Sequence, residues 1–196
     1  MQPNEKQINQ FKTSISDILP VSQSCWDDIK LLITVKKLAN GDYFSKIGQM
    51  NDSFGFLSEG ILRMFNTNEK GKESIKHFFC EGDFIASNTN VEKKAIVYIQ
   101  SLTESIILNL PINDFMKLST KHKEIKHLVH LLMFRYFSQK QECELALISN
   151  NPVDKYNTFI SFYPGIINKI AKVHIANYLG MSPTQLSRVQ SKMEIN

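Results

Sequence analysis

Apolar residues change their spacing twice along the chain. Phe11 to Leu19 and Cys25 to Lys30 read as two short helices separated by Pro20. From Leu31 to Leu110 the pattern becomes short β-type runs: LLITVKKL (31–38), GILRMF (60–65), SIKHFF (74–79), AIVYIQ (95–100) and SIILNL (105–110). The polar stretch NTNEKGKE (66–73) lies between the second and third runs and predicts a tight hairpin. Short strands at this spacing predict a barrel or a sandwich-like roll. After Pro111 the period is helical: Asn113 to Ser149 holds neither Gly nor Pro. A single helix of that length outruns a small β-domain and leaves an apolar stripe that a second copy of itself would cover. The expected self-pairing seam is Ile125, Leu128, Val129, Leu132 and Tyr136, with Met133 beside it. The alternative is two shorter helices, broken near Ser119 and Thr120, packed on their own domain.

Asn150-Asn151-Pro152 marks a break between domains. Beyond it, Val153 to Tyr163 reads as a helix stopped by Pro164-Gly165, and then comes AKVHIANYLGMSPTQLSRVQSKME (171–194). That segment has the parts of a helix-turn-helix. Ala176 is small where two helices touch, Gly180 suits the turn, and Leu186 and Val189 lock the second helix, with Ile175, Leu179 and Met181 as apolar filling. Ser182 is a good N-cap, Pro183 fits the first helical position, and Gln185 completes a capping box with Ser182. With Leu186, Val189 and Met193 turned inward, the outer face carries Thr184, Gln185, Ser187, Arg188, Ser191 and Lys192, groups able to donate to base edges and phosphates.

Composition sharpens this picture. The 196 residues are 42% hydrophobic, enough for a packed core, and their net charge is +4. Residues 152–196 carry +3 of that charge, a basic end on a near-neutral body. No apolar run approaches a membrane span or a signal peptide, so a cytoplasmic location and no membrane contact are expected. Cys25, Cys80 and Cys143 are far apart, without a CxxC, which argues against disulfides or a zinc finger. His122, His127 and His130, among lysines on the long helix, read as a solvated or interface face, and no metal or cofactor is expected. GxSxG, HExxH, P-loop and GxGxxG patterns are missing, which excludes the common enzyme classes they mark.

IANYLGMSPTQLSR (175–188) resembles the recognition motif of the Crp/Fnr superfamily. GDYFSKIG (41–48), EGILRMF (59–65), NEKGKE (68–73) and FCEGDFIA (79–86) are similar, in the right order, to the strand–glycine signatures of its cyclic-nucleotide-binding-type β-roll. The resemblance implies an α+β protein. Its β-roll (jelly-roll-like) sensor domain would span 1–112, its dimerisation helix 113–150, and its helix-turn-helix domain, with a reduced or absent wing, 151–196. It implies a homodimeric transcription regulator on double-stranded DNA, with half-sites about 34 Å apart, and RNA polymerase as the partner if it activates. By motif position Pro183, Thr184 and Arg188 fall where family members contact bases, and Ser182 and Gln185 where they contact phosphates; Ser187 and Lys192 share that face. Pro183 departs from members with a cation there, and cations after Arg188 are sparse.

Members that bind cyclic AMP hold it with a Glu and an Arg after the FxxGDFIG-like turn. Here Ser87 stands at the Glu position and Lys93 is the nearest substitute for the Arg, with Asn88 between them. A Lys lacks the planar fork of Arg, so cyclic AMP is not the expected ligand. A different small effector, or none, remains open. The rival to the regulator reading is a ligand- or partner-binding β-roll whose helix-turn-helix has lost DNA binding.

Overall fold

The computed structural model describes residues 2–50, 52–87, 93–148 and 151–194. Two compact units make up the chain: residues 1–64 with 79–135, and residues 65–78 with 136–196.

In the first unit, helix α1 (Glu5–Ser16) starts at a capping box in which the Asn4 side chain accepts from Gln7 N and the Gln7 side chain from Asn4 N. Helix α2 (Gln23–Leu31) is capped by Ser22. Strands β1 (Thr34–Leu38), β2 (Tyr43–Ser45), β3 (Ser53–Glu59), β4 (Leu62–Thr67), β5 (Glu73–Phe79), β6 (Phe84–Ile85), β7 (Tyr98–Ser101) and β8 (Ser105–Pro111) follow along the chain, with residues 65–78 of β4, β5 and their turn counted in the second unit. They form two four-stranded sheets, ordered β1-β8-β3-β6 and β2-β7-β4-β5. Register is set by β8, where Ile107 faces Lys36 on one side and Leu57 on the other, both antiparallel.

Strand β8 explains the unbroken apolar run SIILNL. Ile107 joins Leu57, Leu62, Ile85 and Ile99 in a core contributed by both sheets. Leu108 and Leu110 point the other way and meet Phe11, Trp26, Ile29 and Phe115 from the helices. A sheet covered on both faces needs apolar residues at successive positions rather than alternate ones. The apolar runs recovered β1, β4, β5, β7 and β8 in part, the strand–glycine signatures 41–48 and 79–86 contained β2 and β6, and β3 was missed. In β3, Phe56 and Leu57 are both fully buried in different cores, so its alternation is hidden.

The single helix expected over 113–149 is corrected. Helix α3 (Ile112–Lys117) runs into a 3-10 turn (Leu118–Thr120), and α4 begins only at Glu124 and continues to Leu147. The amides of Lys121 and His122 both donate to Leu118 O, and the Thr120 hydroxyl donates to Lys117 O. Phe115 of α3 and Ile125 of α4 enter the same core from either side of this break. His122 therefore precedes the long helix and is buried, whereas His127 and His130 are exposed.

Ile125 and Leu128 are fully buried in this unit's own core, with Val129 and Leu132 packed at its edge. The first two are corrected as seam residues, since side chains committed to an intrachain core present no surface to a partner. The exposed apolar residues of α4 are instead Met133, Phe134, Phe137 and Leu145.

In the second unit, α5 (Pro152–Phe162) is capped by Asn151, whose side chain accepts from Val153 N. A 3-10 turn (Ile166–Asn168), α6 (Lys172–Leu179) and α7 (Pro183–Glu194) complete the chain. Phe78 of β5 packs in this unit among Phe159, Tyr163 and Tyr178, with ring centroids 5.2–6.0 Å apart. Edge-on and tilted geometries at these separations favour aromatic packing.

Candidate nucleic-acid interface

The turn between α6 and α7 is built by Gly180, whose φ of 65° and ψ of 30° put it in the left-handed region. This conformation costs a residue with a Cβ about 1–2 kcal/mol. It lets the amides of Gly180 and Met181 satisfy carbonyls at the end of α6, with Met181 N donating to Ala176 O at 2.9 Å. Ala176 is buried where the two helices meet, as a small residue there requires.

Helix α7 then starts as its sequence demands. Gln185 N donates to Ser182 Oγ at 3.2 Å and Ser182 N donates to Gln185 Oε1 at 2.9 Å, so two orphan amides are satisfied reciprocally. Leu186 and Val189 are buried beside Ile175 and Leu179. Burial of such side chains contributes about 1.5–3 kcal/mol each and fixes which face of α7 is left outside. Met193 is corrected, because it is exposed. The inward position goes to Gln190, buried, whose Nε2 donates to the Tyr156 hydroxyl at 3.1 Å. A polar residue in a helical pattern gives sequence reasoning no signal that a tyrosine waits inside for it.

The outer face is as expected in composition: Ser182, Pro183, Thr184, Gln185, Ser187, Arg188, Ser191 and Lys192 are all exposed. The capping bonds engage Ser182 and Gln185 at the helix start, while Thr184, Ser187 and Arg188 follow on the exposed surface. Helix N-terminal amides and these donors suit phosphate oxygens and base edges.

Sequence reasoning missed the neighbour of this face. The β4–β5 hairpin lies in the same unit, and an open groove of about 680 Å³ is lined by Asn66, Asn68, Lys72, Glu73, Asn177 and Ser182, among others. Asn177 of α6 ties the hairpin in place: its Nδ2 donates to Glu73 O at 3.0 Å and its Oδ1 accepts from Ile75 N at 2.8 Å. The side-chain amide thus mimics a strand edge. No rule of sequence spacing links position 177 to a strand that ends a hundred residues earlier.

The residues expected to hold an effector are separated in kind. Ser87 is buried and Lys93 exposed, while Asn88 lies outside the described residues. No helix among the described residues is long and apolar enough to cross a membrane.

A β-roll of two four-stranded sheets and a capped helix-turn-helix define a two-part protein with a cyclic-nucleotide-binding-type domain and a helical module. The cyclic nucleotide-binding domain family matches residues 35–122. The chain is 24% identical over 149 residues to regulatory protein HlyX of Actinobacillus pleuropneumoniae, covering 70% of this chain and 62% of HlyX, so the match spans less than two thirds of that relative. It is 22% identical over 186 residues to the fumarate and nitrate reduction regulatory protein of Vibrio cholerae, covering 89% of this chain and 74% of that one. Among solved structures, FixK2 of Bradyrhizobium japonicum superposes with a TM-score of 0.74 at 12% identity, over 83% of this chain and 85% of FixK2. A crp/fnr-family transcriptional regulator from Eubacterium rectale gives 0.67 at 14% identity, over 89% and 84%. The structural likenesses show the fold. In sequence the chain is similar to these regulatory proteins, and in fold to solved regulators of the Crp/Fnr family.

Proposed function

We propose that the chain is a sequence-specific DNA-binding transcription regulator of the Crp/Fnr type, working in the cytoplasm as a homodimer. The observation that carries this reading is the division of α7: Leu186 and Val189 are sunk in the module while Thr184, Gln185, Ser187 and Arg188 face outward from a capped helix start. In this reading α7 enters the major groove, Arg188 pairs with a guanine, and Ser182, Gln185 and Lys192 meet phosphates. The domain roles follow the sequence expectation, with a sensor over 1–112 and a DNA-binding module over 151–196, but the dimerisation helix is narrowed to α4 (Glu124–Leu147). The dimer seam is assigned to the exposed side of α4, at Phe134, Phe137 and Leu145. These residues recur at spacings that keep them on one side of a helix.

A small effector other than cyclic AMP would be held near Ser87 and Lys93, with Asn88 between them. The position taken by Ser87 offers no carboxylate for a ribose hydroxyl. An activator of this kind would also touch RNA polymerase. Selection of bound sequences from random DNA, followed by binding of the selected site across a salt series, tests the proposal. The expected result is one enriched, twofold-related sequence and a linear fall of log affinity with log salt. Equal, negligible binding to every sequence would overturn it in favour of a β-roll whose helical module no longer binds DNA.

A further inference from the structure

At one place in the first unit a thiol, an imidazole and a carboxylate converge. Cys25 Sγ, a ring nitrogen of His122 and a carboxylate oxygen of Glu124 all lie within 4.8 Å of one another. Cys25 and His122 are buried and Glu124 is half-buried. Two elements far apart in sequence supply them. Cys25 sits in the first turn of α2, with its amide on the Ser22 hydroxyl oxygen, and Glu124 is the first residue of α4. The Ser22 hydroxyl donates to Glu124 Oε1 at 2.8 Å, which fixes the carboxylate, and Asp28 Oδ2 lies 2.6 Å from His122 Nε2, which fixes the ring.

We propose that Cys25, His122 and Glu124 form a binding site for a first-row divalent transition metal ion such as zinc, with Asp28 as the positioning residue for the imidazole. The donor set selects the ion class. Thiolate, imidazole and carboxylate together suit a metal of intermediate softness, whereas magnesium and calcium take oxygen. In a tetrahedral site with bonds of about 2.0–2.3 Å, the donor atoms lie roughly 3.3–3.8 Å apart, so closure needs side-chain movements on the order of 1 Å. Three protein donors leave a fourth position for water or a ligand. The carboxylate held on the histidine's Nε2 is the usual outer support of a metal-bound imidazole.

The electrostatics fit an incoming cation. Hydrogen bonds from His122 and then Lys121 hold Asp28 below the usual carboxylate range, and bonds from its own backbone amide and the Ser22 hydroxyl do the same for Glu124. Burial, and then the charges of Glu124 and Asp28, push the Cys25 thiol up to about 11. A divalent ion reverses the local sign: the sulfur–hydrogen bond breaks, the sulfur–metal bond forms, and the proton leaves to solvent with no change of oxidation state. Bound there, the ion would staple the start of α2 to the start of α4.

The test is cobalt(II) titration of the reduced, full-length, metal-free protein, followed by competition with zinc. The expected result is one bound equivalent with a thiolate-to-cobalt charge-transfer band, abolished by Cys25→Ser and retained in the Cys80→Ala/Cys143→Ala double variant. Glu124→Gln, at a half-buried position, should weaken zinc binding at least tenfold while the metal-free variant melts like the wild type. Absence of the band from wild-type protein, its persistence in Cys25→Ser, or zinc affinity unchanged by Glu124→Gln would each overturn the site. A band that persists in Cys25→Ser would assign the thiolate to Cys80 or Cys143, and zinc affinity unchanged by Glu124→Gln would remove the carboxylate from the site.

Discussion

The Tyr163 hydroxyl lies 3.0 Å from Nδ1 of His77, with both side chains buried in the second unit. Strand β5 thereby places a titratable ring inside an aromatic cluster, edge-on to Tyr136 and Tyr163. Burial, and then the Lys140 charge, lower the imidazole from 6.5 to about 4.

This shift makes stability depend on acid. Between 6.5 and about 4 the unfolded chain binds a proton that folded His77 refuses. Its contribution is therefore complete above 6.5 and lost as pH falls toward 4, by about 3 kcal/mol in all. Thermal melts across that window should fall more steeply for wild type than for His77→Phe. Parallel profiles would assign the proton uptake to other groups.

Arg188 and Lys72 should affect DNA binding differently. Arg188→Ala should cost roughly 1–3 kcal/mol on the selected site and relax preference at one base pair. Lys72 lines the same groove as Ser182, and the proposed docking of α7 would bring a duplex backbone to it. Lys72→Glu should weaken all sequences alike and reduce the salt slope by about one. Fluorescence anisotropy on matched and mismatched duplexes distinguishes the two behaviours.

On α4 the exposed and buried apolar residues should separate assembly from folding. Phe137 is 64% exposed, and Leu128 fully buried. Phe137→Glu should shift sedimentation toward monomer without lowering the melting temperature of the monomer. Leu128→Glu should unfold the first unit, because a carboxylate in that core has no partner. A Phe137→Glu variant that sediments as a dimer would move the seam elsewhere.

Two glycines should differ in what they tolerate. A Cβ at Gly180 would meet nothing within 4 Å, so Gly180→Ala should cost only the backbone strain, about 1–2 kcal/mol. Gly60 has φ of 105°, and a Cβ there would strike Ser105 Oγ and come within 2.7 Å of the Glu104 carbonyl oxygen. Gly60→Ala should be clearly the more destabilising of the two by urea denaturation, since strain and overlap add.

Local chemistry was legible in the chain alone. The Ser182–Gln185 capping box, the turn at Gly180 and the burial of Leu186 and Val189 depend on residues within a few positions of one another, so spacing suffices to read them. The same holds for the β-runs that carry most of the two sheets and for the exposed donors of α7. Contacts across long sequence separations were decided only by the tertiary structure. Phe115 and Ile125 reach one core from two separate helices, and the break between them leaves His122 turned inward beside Asp28. Ile125 and Leu128 share the helical period of an interface stripe, yet the first unit's own core claims them. Asn177 on β5, Gln190 on Tyr156, and Cys25 near Glu124 are likewise pairings of distant residues. Periodicity fixes which side chains share a face, but only packing decides what that face meets.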